Sequence, residues 1–440
     1  MSSAAAPNSA NDNLVNQIVK SLVLRRSALG LVLTVSTAAA QTDDAAMRRA
    51  KAILRTTPII DTHNDLPWVI REKGAPPRDV EAYDISKRAR FDTDIPRLRA
   101  GMVGAQFWSV YVPSGLSPLD AMRAQLEQID IARRLIAKYP NDLGFAASVS
   151  DIRREGARGR IASLLGIEGG HTIANSLGAL RAYYDLGVRY MTLTHFNTND
   201  WADAATDTAR HNGLTPFGRE VVREMNRIGM LVDISHVSPA AMSDVLATVE
   251  APVIFSHSSA RALTDHARNV PDSILKRLPQ NGGVVMVAFI PPFVSEPARV
   301  WSEELFPRIT RAASDSQWQR ITRDYVAEKG PSPRATIKDV ADHVDHIRKV
   351  AGVNHVGIGA DFYGAEAEHD LVQGLEDVSR YPALFAELVG RGWTDADLRK
   401  LARENLLRVF RQAELASARL RRTRSPSNAT IEELDRRQVP

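Results

Sequence analysis

Cysteine is missing from all 440 residues of the chain. Disulfides, thiolate zinc sites and a cysteine nucleophile are therefore excluded. The absence fits an oxidising compartment without requiring one. Long apolar runs are missing as well. None approaches the ~18 residues that a membrane span needs, so no integral span is expected. Charge of one sign is not in strong excess: the net charge is +4, and Lys and Arg are scattered. There is no basic stripe interleaved with aromatics, and no nucleic-acid partner is expected.

What is present has globular proportions, with 44% hydrophobic and 25% charged residues. The length suits two average domains or one large α/β barrel. A core of that size needs no metal staple, so metal ligands here would serve function. Near the start, Leu24-Arg25-Arg26-Ser27 precedes the apolar run Ala28-Leu29-Gly30-Leu31-Val32-Leu33-Thr34-Val35, and small residues end in Ala38-Ala39-Ala40. A basic segment, a short apolar run and an A-x-A end form a secretory signal. Residues 1–40 are thus expected to be a leader, and the protein to be secreted or periplasmic. The Arg25-Arg26 pair fits a twin-arginine route.

Short β-branched runs recur at 58–63, 103–110, 161–168, 190–195, 230–236, 252–257, 283–289 and 355–361. Amphipathic helix patterns lie between them, for example at 119–138, 217–228 and 337–350. Eight strands alternating with helices predict a closed (β/α)8 TIM barrel over residues 45–411. Segment 291–335 is longer than a barrel connection needs and is expected to be a helical insertion that could act as a lid. Residues 381–411 read as terminal helices. Residues 412–440, rich in Arg, Ser and Glu, are expected to be a loose polar tail.

The strand ends carry the chemistry. His63 ends the first strand, with Asp65 just beyond. Glu168 ends the third, His195 the fourth, His236 the fifth, His257 the sixth and Asp361 the eighth. In this fold the C-terminal strand ends share one face. A single His at such a place is more often a structural residue. Four His and three carboxylates at matching ends are different, because buried unpaired charge costs several kcal/mol and a divalent ion relieves it. Imidazole with carboxylate suits Zn²⁺, with Mn²⁺ or Co²⁺ as substitutes. Five or more ligands exceed one tetrahedral ion, so two Zn²⁺ sharing a carboxylate, ~3.5–4 Å apart, are expected. His63 and Asp65 can hold one ion, Glu168 can bridge, and His236 and His257 can hold the other. A hydroxide shared by the ions is then the expected nucleophile. Asp361 suits a general base that later protonates the leaving amine, or a further ligand. His195 can stabilise an oxyanion, or serve a structural role. A loop Arg after strand six, Arg261 or Arg268, could pair with a substrate carboxylate, although a solvated Arg is the commoner reading.

Eight stretches in order resemble the membrane dipeptidase (renal dipeptidase) family of zinc peptidases. They include Asp61-Thr62-His63-Asn64-Asp65-Leu66-Pro67, Gly166-Ile167-Glu168-Gly169-Gly170-His171 and Leu193-Thr194-His195. Trp201-Ala202-Asp203, Asp233-Ile234-Ser235-His236-Val237-Ser238 and Phe255-Ser256-His257-Ser258-Ser259-Ala260 continue the series. It ends with Arg268-Asn269-Val270-Pro271-Asp272 and Gly357-Ile358-Gly359-Ala360-Asp361-Phe362. The resemblance implies a barrel of the metal-dependent hydrolase type. It implies His63 and Asp65 on one zinc, Glu168 bridging, and His236 and His257 on the other. It implies that His195 and Arg268 contact substrate and that Asp361 handles protons. It also implies dipeptide hydrolysis, with a C-terminal D-residue often tolerated, and β-lactam opening in some members. The chain departs from the pattern at Tyr363, where family members often carry Asp, and at Ile290, where the mammalian form has Tyr. The mammalian cysteines and lipid-anchor signal are absent.

A small peptide is therefore the expected partner, with a homodimer as the assembly to test. The alternatives are a binuclear amidohydrolase for an N-acyl amino acid, lactone, β-lactam or phosphoester, and a periplasmic binding protein that kept the barrel. Fold alone cannot separate these.

Overall fold

Apolar runs that alternate with amphipathic segments have one economical arrangement: a parallel sheet buried on both faces, with helices over its outer face. The chain adopts it in the computed structural model, which describes residues 44–309, 315–365 and 370–435. The strands are β1 (Ile59–Asn64), β2 (Val103–Ser109), β3 (Leu143–Phe145), β4 (Ile161–Glu168) and β5 (Val188–Thr192). They continue with β6 (Leu231–Asp233), β7 (Ile254–Phe255), β8 (Val284–Val287) and β9 (Val356–Ile358). Neighbours run β1–β2–β4–β5–β6–β7–β8–β9 and return to β1, closing a parallel ring of eight. This is the expected (β/α)8 barrel. The eight expected runs all contain strands of the ring. β3 was not expected. β2 pairs with one edge of β4, so β3 and β5 share the other, β3 along 161–163 and β5 along 165–168.

Alternate strand residues separate into two buried sets. Ile60, Phe107, Leu164, Tyr190, Leu231, Ile254 and Met286 pack together within the ring. Ile59, Leu165, Met191, Val232, Phe255 and Val285 join the larger cluster with the helices. The period of two along each strand makes this division. The expected helices run Pro118–Lys138, Pro216–Ile228 and Ile337–Ala351. The first two begin on a Ser or Thr cap followed by Pro: Ser117 accepts from Asp120 N, and Thr215 from Gly218 N. Such caps satisfy amide groups that the first turn leaves open.

Segment 291–335 is helical at Pro291–Val294, Glu296–Ile309 and Asp315–Lys329, and Phe293 from its first turn reaches the barrel mouth. No described helix is long and apolar enough to cross a membrane. The expected leader lies outside the described residues.

The expected loose tail is corrected over its described residues, 412–435. Helix Asn405–Thr423 continues straight through residue 412. Its buried face runs Leu406, Val409, Phe410, Ala413, Ala416 and Leu420, a helical spacing. The first five belong to the cluster that fills the ring. Arg408 donates to the carbonyls of Gly282 (2.6 Å) and Asn354 (2.8 Å), which precede β8 and β9. The helix therefore closes the N-terminal end of the barrel. On the same helix Ser417 Oγ donates to Arg227 O at 2.8 Å, and beyond it Asp435 accepts from Phe217 N at 2.8 Å, so the tail braces both ends of helix Pro216–Ile228. Leu420, 1% exposed, tests this packing. Leu420→Ala should cost about 2 kcal/mol in urea unfolding; a variant as stable as the parent would make the tail dispensable.

Candidate metal centre

Because all eight ring strands are parallel, one rim collects every C-terminal end. His63 lies in β1, Glu168 closes β4, and His195, His236, His257 and Asp361 follow β5, β6, β7 and β9 within three residues. The structure brings them together around one carboxylate. Glu168 Oε1 lies 2.9 Å from His236 Nε2, 3.3 Å from His257 Nε2 and 3.6 Å from His195 Nε2. Glu168 Oε2 lies 3.5 Å from His63 Nε2. His63 Nε2 is also 3.6 Å from Asp65 Oδ1 and 3.7 Å from Asp361 Oδ1. Three overlapping groups result: His63, Glu168 and His257; Glu168, His195 and His236; and His63, Asp65 and Asp361, each with ligand atoms within 4.8 Å of one another.

Two buried aspartates hold the strand ends in place. Asp61 accepts from His63 N (3.2 Å), Ala360 N (2.9 Å) and the Tyr381 hydroxyl (2.6 Å), which ties the end of β1 to that of β9. Asp233 accepts from Ser235 N (3.0 Å), Ser256 N (2.9 Å) and Ser256 Oγ (2.6 Å), which ties β6 to β7. The residues these braces present, His236 and Asp361, both have φ of 67°. That left-handed backbone costs a non-glycine residue on the order of 1 kcal/mol or more and clusters at working sites.

The outer partners also settle which imidazole nitrogen is free. Ser256 Oγ donates to Asp233, so its oxygen accepts from His257 Nδ1 at 2.8 Å. Tyr190 donates to Thr62 O at 3.1 Å, so its oxygen accepts from His63 Nδ1 at 2.9 Å. Both rings therefore turn an Nε2 lone pair toward Glu168, the orientation that metal-binding imidazoles take from such partners. Gly166 makes room for Tyr190: a Cβ there would lie 2.0 Å from the phenol ring.

Charge follows the same arrangement. Burial alone would raise the Glu168 carboxyl, but the surrounding imidazoles, His63 and His195 foremost, outweigh it and hold it well below its ordinary value. Burial pushes His236 and His257 well below theirs, so both are neutral and able to ligate. Burial opposes a proton on His63, yet the Tyr190 oxygen and the carboxylates of Glu168 and Asp65 around it hold it well above its usual value. The donor set fits a divalent ion on this ground: His63 Nε2 and Asp65 Oδ1 are buried with no hydrogen-bond partner among the described residues. A cation between them replaces the proton that His63 would otherwise draw.

The cluster floors a cavity of about 350 Å³, within the usual range for small-molecule sites. Trp68, Tyr111, Phe196, Ile290, Phe293 and Tyr363 supply its apolar wall. A larger hollow of about 570 Å³ lies near Glu250 and Arg277, among segments that precede β7 and β8, away from all of this chemistry. Arg268 lines this cavity; Arg261 does not, and instead donates to Ala267 O at 2.5 Å. Sequence reasoning missed Asp61, Tyr190, Asp233 and Ser256 as supports. Their signal was polar character inside apolar strand runs. Tyr190→Phe should weaken metal affinity about tenfold in a chelator competition, because the His63 ring loses its outer partner; an unchanged affinity would remove Tyr190 from the site.

The match to the membrane dipeptidase (peptidase family M19) model spans residues 47–424. Among solved structures, a probable dipeptidase from Pseudomonas aeruginosa is 24% identical, with a TM-score of 0.74, over 85% of this chain and 99% of that one. A metallopeptidase from Rhodobacter sphaeroides, bound to a phosphinate mimic of the dipeptide L-Ala-D-Ala, is 22% identical, with a TM-score of 0.67, over 81% and 99%. An amidohydrolase from Pseudomonas aeruginosa is 22% identical, with a TM-score of 0.63, over 83% and 98%. At these identities the solved structures speak for the barrel, and the family match speaks for descent: this chain belongs to the membrane dipeptidase family of metallopeptidases.

Proposed function

We propose that the protein is a binuclear zinc dipeptidase. The observation that carries this reading is the joint presence, in one cavity, of a buried ligand cluster and a buried, incompletely paired cation. Arg268 is 1% exposed, yet its Nε and Nη1 have no hydrogen-bond partner among the described residues. Its Nη2 donates to His257 O at 3.2 Å. Burial lowers its pKa to about 10, which leaves it charged at neutral pH. A buried guanidinium without an anion costs several kcal/mol, and a substrate carboxylate is the natural complement.

In this reading His63, Asp65 and Glu168 would hold one zinc, and Glu168, His236 and His257 the other. When bound, the ions would activate a water and polarise the scissile carbonyl. The chain's own residues do the rest. Arg268 takes the substrate carboxylate and sets the amide over Glu168. Asp361 moves the proton: burial, then the nearby Asp65 and Glu168, raise its carboxyl to about 7 against His63 and Arg268. A group poised there can accept a proton and return it to the leaving amine. His195, lowered to about 4 chiefly by burial, is a neutral imidazole whose N–H can stabilise the developing oxyanion. The mostly apolar cavity wall limits competing water.

The phosphinate mimic of L-Ala-D-Ala bound by the Rhodobacter protein makes LD-dipeptides natural first substrates beside LL ones. An N-acyl amino acid would offer Arg268 the same carboxylate, so it is the second reading to test. Export, from the signal near residues 23–40, and a homodimer complete the proposal.

A panel of LL- and LD-dipeptides and N-acyl amino acids, with metal analysis of the same protein, tests it. Glu168→Ala or His236→Ala should abolish dipeptide hydrolysis and lower metal content; a fully active variant without metal would sink the claim. Arg268→Ala should cut kcat/KM for dipeptides about 100-fold, mostly through KM. If that ratio does not move, the carboxylate-bearing substrate class is wrong.

A further inference from the structure

The cavity wall beside Arg268 comes from two separate segments. One is the loop after β7, residues 258–271, which carries Arg268. The other is the turn Pro291–Val294 after β8, which carries Phe293. Loops on a barrel rim usually vary independently, but these two are cross-linked by buried side chains. Asn269, fully buried, donates from Nδ2 to Thr264 O (2.9 Å) and Phe293 O (2.8 Å), and accepts from Ser259 N at 3.2 Å.

The second link comes from outside both segments. His343, on helix Ile337–Ala351, is 1% exposed. Its Nδ1 accepts from Ala260 N at 2.9 Å, so the ring hydrogen sits on Nε2. Nε2 then reaches Val294 O at 3.2 Å and Thr264 Oγ1 at 3.3 Å. One imidazole therefore touches the start of the Arg268 loop, its middle, and the end of the Phe293 turn. The result is a fixed pair: the Arg268 guanidinium lies 5.4 Å from the centre of the Phe293 ring, and both line the catalytic cavity.

We propose that Arg268 and Phe293 form one rigid subsite for the substrate's C-terminal residue, with His343 as the positioning residue that holds its two halves in register. The subsite takes a free carboxylate on the guanidinium and a bulky apolar side chain against the phenyl ring. In a dipeptide those two groups leave the same α-carbon, so an anion on Arg268 brings the side chain to a wall only a few ångströms away. The favoured substrates are dipeptides ending in a large apolar residue. Preorganisation is the physical gain, because neither loop needs ordering when substrate binds. The inference rests on the dipeptidase reading and on Arg268 as the carboxylate clamp.

The test compares Gly-Phe, in both stereochemical forms, with Gly-Gly on metal-loaded full-length enzyme. The parent enzyme should prefer one form of Gly-Phe over Gly-Gly in kcat/KM by about tenfold or more. Phe293→Ala should lower kcat/KM for Gly-Phe at least tenfold more than for Gly-Gly. His343→Asn keeps an acceptor for Ala260 N, but its shorter side chain carries no donor out to Val294 O. It should raise KM for Gly-Phe about tenfold, change kcat less than twofold and leave metal content intact, a split that a general loss of structure would not produce. On Gly-Phe amide, which lacks the carboxylate, the same variant should match the parent. Equal losses on both substrates in Phe293→Ala, or a His343→Asn effect on kcat or metal content in place of KM, would overturn the proposal. Should His343→Asn not fold, the Phe293→Ala comparison decides alone. An Arg268→Ala enzyme with unaltered dipeptide kinetics overturns the dipeptidase reading as well; dependence on Arg268 without dependence on Phe293 overturns only the subsite.

Discussion

A buried carboxylate surrounded by four imidazoles is the constraint on which the rest of this protein turns. Glu168 meets His63, His195, His236 and His257 within 3.6 Å, at a depth where water offers little solvation. Such a cluster is costly unless each member has a defined partner on its far side. The chain answers with a second layer. Tyr190 sits behind His63, and Ser256 with Asp233 sits behind His257. Asp61 and Asp233 each tie two strand ends together. Even Gly166 belongs to this layer, since any side chain there would displace Tyr190. The metal dependence of the family is thus matched by a site whose free lone pairs point inward.

The barrel divides labour around its rim. The ends of β1, β4, β5, β6 and β7 supply the cluster, and β9 supplies Asp361. The longer excursions after β7 and β8 bring Arg268 and Phe293 to the cavity wall. Closure of the opposite end falls to helix Asn405–Thr423, whose apolar face packs with the ring interior. The site therefore stands on a sealed core, so the strained φ of His236 and Asp361 can persist.

How much of this could be read in the sequence depended on whether the pattern was local. The strands of the ring were legible because apolar runs of β-branched residues recur at barrel intervals. β3 was not, because three residues give no periodicity to detect. The tail reads as loose from its many Arg residues, whereas the helical spacing of Ala413, Ala416 and Leu420 is what packs it against the barrel. His343 carried no signal, as one His on an amphipathic helix looks like any other.

The amino-acid order alone determined which residues reach the rim, since a parallel barrel sends every strand end to one face and the chain places His, Asp or Glu at six of them. It also determined a donor set of nitrogen and oxygen, because no thiol exists to compete. Only the tertiary structure decided the tautomers of His63 and His257, the choice of Arg268 over Arg261 as cavity lining, and the coupling of two loops through His343. Each of those depends on contacts between segments far apart in the chain, and a hydrogen bond across such a distance leaves no period, run or spacing in the sequence.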